Sequence, residues 1–331
     1  MTTIGFFNNK GGVGKTSLVF HIAWMLSDLD VRVVVVDLDP QANLTGLFLD
    51  EERLESIWNT EDRATVYRAL RPVFDREGPQ QAPRVEIVGD QIGLLIGDLD
   101  LSVLEDQLGQ AWSGAMSGQA GDFRLIASFH RLISEACQSH GAKIALVDVG
   151  PNLGALNRAA LLACDLLVVP VGADFFSLQG LRNMGPTLKR WRHEWRQRQA
   201  SAPPDFSPPL PLGSMEPLGY VVMRHSVRLD RPVRAFSRWL DRMPEQYATS
   251  LRGTTYAPAA TAEDDPNCLA TLKDYRSLMP MAHEARKAVF HLKVADGAFG
   301  GHQAAVQRAY LDFRAVTQRL IEAAQLRELL S

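Results

Sequence analysis

Apolar positions along this chain fall into short continuous runs, separated by longer stretches with helical spacing. Residues 4–7 form one such run, and Val33, Val34, Val35 and Val36 form another within residues 32–37. Four consecutive valines leave no polar alternate face, as expected of a strand covered on both sides in a parallel sheet. Residues 18–29 lie between these runs with helical periodicity, which predicts a βαβ unit with a right-handed crossover. Further strands are expected at 144–148, 166–171 and 218–223, with a last short one at 289–293. Helices are expected at 153–163, at about 178–198, and over an amphipathic final stretch, 304–330. This alternation favours an α/β fold, an open and mostly parallel sheet flanked by helices, over a closed barrel.

The remaining segments read as elaborations of a single domain spanning 1–331. Residues 51–121 carry helical patches, a strand candidate at 92–96 and a flexible-looking run at 113–118. Residues 201–213 are proline-rich and read as a loop or projecting arm, because proline lacks the N–H a strand ladder needs. Residues 254–267 form another polar, proline-containing connection, and about 270–331 make a C-terminal helical region.

Composition narrows the possibilities only slightly. A net charge of -3 argues against a uniformly basic surface. Cys137, Cys164 and Cys268 are too widely spaced for a paired zinc motif and are expected in the core. The start is polar and glycine-rich, unlike a signal peptide, and no apolar run is long enough to span a bilayer. A cytoplasmic protein with no stable membrane association is the expectation.

Chemistry enters at Asn8-Asn9-Lys10-Gly11-Gly12-Val13-Gly14-Lys15-Thr16-Ser17, between the first strand and the first helix. Amides of a glycine-rich turn and a helix N-terminus can surround phosphate oxygens. Lys15 would add a point charge, and the Thr16 hydroxyl could bind Mg²⁺. Gly11, Gly12, Val13, Gly14, Lys15, Thr16 and Ser17 are therefore the nucleotide-binding candidates. The spacing G-x-x-x-x-G-K-[ST] fails at its first position, which is Asn9, and a second lysine, Lys10, has entered the loop. Two sets of acids follow apolar runs: Asp37 and Asp39 after the valines, and Asp148 after residues 144–147. Asp37, Asp148 and Thr16 are the metal candidates, with Asp148 the best Walker-B-like residue.

These motifs together resemble the ParA/MinD group of deviant Walker P-loop ATPases, with the ParA (Soj-like) branch closer. The resemblance rests on residues 10–16, 36–43 and 147–154, and continues through 168–171 and 177–181. It implies an ATPase that cycles through ATP and ADP with Mg²⁺. Lys10 would reach the partner's nucleotide in an ATP-dependent homodimer, and Asp39 would orient the attacking water. Lys10, Lys15 and Asp39 are thus the catalytic candidates, while Pro170 and Val171 lie where the family contacts adenine. The implied role is DNA partition, of plasmids or chromosomes, with a ParB-like stimulating partner, non-specific double-stranded DNA and a nucleoid location. The alternative is a related ATPase that positions a protein cargo or acts as a regulatory scaffold. Val149 and Gly150 depart from the Asp-Thr-Pro-Pro common in the second switch. No long helix-turn-helix extension precedes the loop, so operator-specific binding is not expected.

Charge is locally uneven. Residues 182–238 hold eleven Arg or Lys against four Asp or Glu. Arg190, Arg192, Arg196 and Arg198 lie in one helical stretch, and Arg224, Arg228, Arg231, Arg234 and Arg238 form a second series. Arg286, Lys287, Arg308, Arg314 and Arg319 are further candidates for a DNA surface, which would bind phosphates in a salt-dependent way.

Overall fold

The computed structural model describes residues 1–60, 63–225, 227–228, 231–232, 238–255 and 261–330. The chain opens with β1 (Thr2–Phe6), α1 (Lys15–Asp28) and β2 (Val33–Leu38). Next come α2 (Asn43–Phe48), α3 (Glu51–Trp58), α4 (Val66–Phe74), β3 (Glu86–Gly89), β4 (Ile92–Leu95) and α5 (Leu104–Gly114). The middle of the chain supplies α6 (Ala120–His140), β5 (Ile144–Val149), α7 (Ala155–Leu162), β6 (Leu166–Gly172) and α8 (Phe175–Ser201). After β7 (Glu216–His225), β8 (Val227–Arg228) and β9 (Arg231–Pro232) make a small antiparallel ladder. The C-terminal part holds α9 (Met243–Tyr247), β10 (Cys268–Lys273), α10 (Leu278–Ala285) and α11 (Gly301–Ala323).

Among the described residues, eight strands form one sheet in the order β10-β7-β6-β1-β5-β2-β4-β3. All neighbouring pairs are parallel except β3–β4, which is antiparallel at the edge. The valine run explains how the sheet is covered. Val34 and Val36 join the core formed with α4 to α8, while Val33 and Val35 join the core formed with α1, α2, α10 and α11. Successive side chains point to opposite faces of a strand, so a strand buried on both faces must be apolar throughout.

Several expectations need correction. Residues 289–293 do not form a strand: Val289–His291 is a short 3-10 turn, and the Val289 N–H donates to His21 Nε2 rather than to a neighbouring strand. The strand beside β7 is β10 instead, whose register slips twice along the pairing. The 113–118 run is ordered: α5 ends at Gly114, Ala115–Ser117 is a 3-10 turn, and Ala115 is fully buried. Of the two readings of residues 201–213, the loop holds and the projecting arm does not: no helix or strand follows α8 there. Phe206 and Leu210 pack on the core, and the Pro211 carbonyl accepts from the Trp195 indole at 2.9 Å. Within 51–121 the expected helices and the strand near 92–96 are present, β3 and β4 extending the sheet and α5 packing against α6 and α7. Cys137, Cys164 and Cys268 are free and buried.

Candidate functional site

Parallel pairing of β1, β5 and β2 brings three strand ends to one edge of the sheet, where open α/β folds bind ligands. Asp148 is the register partner of both Phe6 and Asp37, so the loop after β1 faces two strand-end acids. The loop itself turns through two left-handed glycines, Gly12 at φ 72° and Gly14 at φ 90°. A side chain at Gly14 would be strained, and its Cβ would lie 3.1 Å from Met223 Cε. Asn8 holds the loop to the sheet. Its Nδ2 donates to the Pro170 carbonyl at 2.6 Å, and its Oδ1 accepts from the Lys10 amide at 2.9 Å.

Lys15 begins α1 and is only 7 % exposed. Its ammonium hydrogen-bonds to Asp148 Oδ1 and lies 3.8 Å from Asp39 Oδ2. Burial pushes the Asp148 carboxyl above its ordinary range, opposed first by Lys15 and then by the nearby Thr16 hydroxyl. Asp37 is pushed up as well, first by burial and then by Asp148. Its Oδ2 accepts from both the amide and the hydroxyl of Thr45 at 2.8 Å. The Thr45 hydroxyl also accepts from the Gly97 amide at 2.9 Å, and a Cβ at Gly97 would come within 2.9 Å of Asp37. Thr45 and Gly97 carry no chemical signature in the sequence, because their roles depend on α2 and β4 meeting above β2.

The sequence candidates separate clearly. Lys15, Thr16, Asp39 and Asp148 converge, with Asp37 behind them on Thr45. Gly11 and Gly12 are exposed on the loop, Val13 is buried, and Ser17 is half-buried. Lys10 points away from this group and pairs with Asp174 Oδ2 at 2.7 Å. Pro170 offers its carbonyl to Asn8, and Val171 is fully buried in the core, so neither lines the cavity beside the loop. That cavity, of about 160 Å³, is lined by Gly14, Ser17, Met223, Lys273, Tyr275 and Phe313, among others.

The donor set fits Mg²⁺ and phosphate. Asp148 Oδ2 is buried without a hydrogen-bond partner while its other oxygen holds Lys15, so an acceptor is left for a cation or its water. Hydroxyl and carboxylate oxygens are the hard donors Mg²⁺ prefers, and it commonly combines one or two protein ligands with water and phosphate. No group of three or more His, Cys, Asp or Glu suited to a metal occurs among the described residues.

A family model described as an AAA domain matches residues 1–200, well over half of the chain. The chain belongs to the ParA/MinD/Soj family of deviant Walker A P-loop ATPases, in its partition-protein branch. It is 31% identical over 197 residues to the chromosome partitioning protein ParA of Caulobacter vibrioides, covering 58% of this chain and 64% of that one. The Thermus thermophilus chromosome-partitioning ATPase Soj is 30% identical over 190 residues, covering 57% and 62%. The chain thus spans less than two thirds of the length of these relatives. Protein DIP2308 of Corynebacterium diphtheriae aligns with a TM-score of 0.63 and 31% identity, over 76% of this chain and 89% of that one. The fold is also that of pNOB8 ParA bound to nonspecific DNA, with a TM-score of 0.56, 18% identity and 98% of each chain covered.

For this ParA-family chain, the basic surface differs from the expected one. Arg198 is withdrawn: it is buried, its guanidinium lies 4.0 Å from the Trp112 ring centroid, and its Nε donates to the Trp112 carbonyl. Arg190 and Arg196 remain exposed. The half-buried Arg192 and the exposed Arg196 line a cavity of about 470 Å³ together with Lys189 and Arg252. Arg238 lies over Trp239, Lys287 pairs with Asp296, and Arg308, Arg314 and Arg319 are exposed on α11. Arg234 and the side chains of Arg224, Arg228 and Arg231 lie outside the described residues. No helix among the described residues is long and apolar enough to cross a membrane.

Proposed function

We propose that this chain is an ATP-dependent dimerising switch that hydrolyses ATP to ADP and phosphate and serves DNA partition. The observation carrying this reading is the convergence of Lys15, Thr16, Asp39 and Asp148 at the end of a loop with left-handed glycines. Thr16 and Asp148 would hold Mg²⁺, with Asp37 near its hydration shell. The cation would supply charge neutralisation on the transferring phosphoryl group. Lys15 and the amides of Gly11 to Thr16 would bind phosphate oxygens, and Ser17 would extend that cradle. Asp39 would orient the attacking water. The cavity bounded by Gly14, Ser17 and Met223 suits a nucleobase better than Pro170 and Val171 do.

Lys10 would leave Asp174 and meet the partner's nucleotide, making the dimer depend on ATP. The dimer would then bind double-stranded DNA without sequence preference through Arg190, Arg196 and neighbouring cations, placing it in the cytoplasm on the nucleoid. A ParB-like protein would stimulate turnover. Residues 1–331 would act as one ATPase domain.

The test is phosphate release by purified protein with Mg²⁺-ATP, with and without DNA, alongside DNA retention in ATP and in ADP. Hydrolysis that requires Lys15, together with ATP-favoured and salt-sensitive DNA binding weakened by Arg190→Glu with Arg196→Glu, is expected. Equal DNA binding in both nucleotides and no phosphate release would defeat the proposal. Capture with a slowly hydrolysing Asp39 variant would identify the cargo.

A further inference from the structure

The helix after the second strand-end acid, α7, starts at Ala155 with no cap from its own N-cap residue, Gly154. The cap comes from α5, about fifty residues away in sequence. Glu105 Oε1 accepts from the Ala155 amide at 2.6 Å, and Oε2 accepts from the Leu156 amide at 2.8 Å. A carboxylate there satisfies two of the free first-turn N–H groups and sits at the positive end of the helix dipole. Gly154 is what admits it: an added Cβ would overlap Glu105 Oε1 and lie 3.0 Å from its Cδ.

A second contact joins the same helices, since the Arg158 guanidinium of α7 lies 4.1 Å from the Trp112 ring centroid of α5. From α7 the connection runs back to the reacting edge. Asn157 is fully buried, and its Nδ2 donates to the carbonyls of Gly150 and Asn152, each at 2.8 Å. A Cβ at Gly150 would come within 3.4 Å of both Asn157 Oδ1 and Asp39 Oδ1. Asn157 and Asp39 therefore both border the turn at Gly150.

We infer that Glu105 is a positioning residue for hydrolysis: by capping α7 it fixes Asn157, the 150–154 turn and, through that turn, the placement of Asp39 and Asp148. The 51–121 elaboration thereby acts on the site through one side chain. This inference rests on the ATPase reading, but one arm of its test does not.

Glu105→Ala removes the cap, and Gly154→Ala crowds it, its Cβ also lying 3.0 Å from Asn152 Oδ1 of the turn. Each should lower kcat about tenfold while KM for ATP changes less than about threefold, because small displacements of a positioned group act mainly on the chemical step. The double variant should lose less than the sum of the two single ones, since both act on the Glu105 contact. Asp106→Asn, at the exposed neighbouring acid, should leave the rate unchanged. Amide hydrogen exchange supplies the arm independent of hydrolysis: residues 150–157 should exchange faster in both variants, while residues 8–17 keep their protection. Glu105→Gln, which retains one acceptor, should fall between wild type and Glu105→Ala, and serves where the alanine variant does not fold. Unchanged exchange at 150–157 in folded variants overturns the positioning role. Unchanged kcat in an active background overturns its link to catalysis. A wild type that releases no phosphate, with exchange altered as expected, would count against the ATPase reading alone.

Discussion

Lys10 Nζ sits 2.7 Å from Asp174 Oδ2 of the same chain, with both side chains about one third exposed. Asp174 also caps α8, its Oδ1 accepting from the Ser177 amide at 2.9 Å. Burial raises this carboxyl, but the Lys10 hydrogen bond and the Ser177 amide outweigh it and hold the group below the usual carboxylate range. The lysine proposed to serve the partner is thus engaged at home, and dimerisation must break that pair. Exposed ion pairs contribute up to about 1 kcal/mol each and the homodimer breaks one per protomer, so Asp174→Asn should tighten the Mg²⁺-ATP dimer by up to about thirtyfold. Asparagine keeps the cap, so α8 should remain intact. Sedimentation with a non-hydrolysed ATP analogue would show the shift, and Lys10→Ala should weaken the dimer in the same assay. A dimer weakened by Asp174→Asn would mean that the pair assists assembly.

Lys15 carries a stability role besides its proposed nucleotide role, because its partner Asp148 is fully buried. Lys15→Met should abolish nucleotide binding and destabilise the fold by about 3 kcal/mol at neutral pH, the scale for stranding one member of a buried pair. Adding Asp148→Asn should recover much of that loss without restoring binding. Urea unfolding and fluorescent-nucleotide titration measure the two effects separately. Destabilisation that persists in the double variant would point to lost packing of the lysine stem.

Asp39→Ala should slow hydrolysis by about 100-fold while ATP-driven dimers persist, as expected for loss of a group that positions or deprotonates water. Single-turnover phosphate release and sedimentation of the same sample provide the check. Turnover close to wild type would remove Asp39 from the mechanism.

His21 links α1 to the C-terminal region and should make stability pH-dependent. Its Nδ1 lies 2.6 Å from the Ser17 carbonyl, its Nε2 accepts from the Val289 amide, and its ring stacks on Phe313 at 4.6 Å. These partners require a neutral ring, protonated at Nδ1. Burial lowers its pKa from 6.5 to about 4, opposed by the Ser17 carbonyl and reinforced slightly by His291. The unfolded chain therefore binds the proton first, and the contribution of neutral His21 is present above pH 6.5 and lost as pH falls toward 4. The full effect is on the order of 3 kcal/mol. Urea midpoints at pH 7.5 and 4.5 should differ more in wild type than in His21→Gln. Equal differences in both proteins would assign the acid sensitivity elsewhere.

The acids and the loop were legible because each sits at the end of a strong local pattern. The valine run announces β2, and Asp37 follows it; residues 144–147 announce β5, and Asp148 follows. The edge of the sheet was harder to read. β10 is only half covered, with Thr271 and Lys273 less buried than Leu269 and Leu272, so its apolar signal is interrupted. Residues 289–293 carry Val289, Phe290 and Leu292, yet pack as a turn against His21 and Phe313.

The sequence by itself determined the βαβ core, the phosphate-type loop and the presence of three acids at strand ends. Those features depend on residue order over a few positions and on the twofold or 3.6-residue repeat of a single element. Tertiary structure decided that Lys10 meets Asp174, that Arg198 is spent on Trp112, that Thr45 holds Asp37, and that Glu105 caps the helix after Asp148. Each of these joins segments separated by tens of residues or more, except the Thr45–Asp37 contact, which still needs α2 to fold back over β2. Such meetings follow from strand order and helix packing, which no local periodicity records.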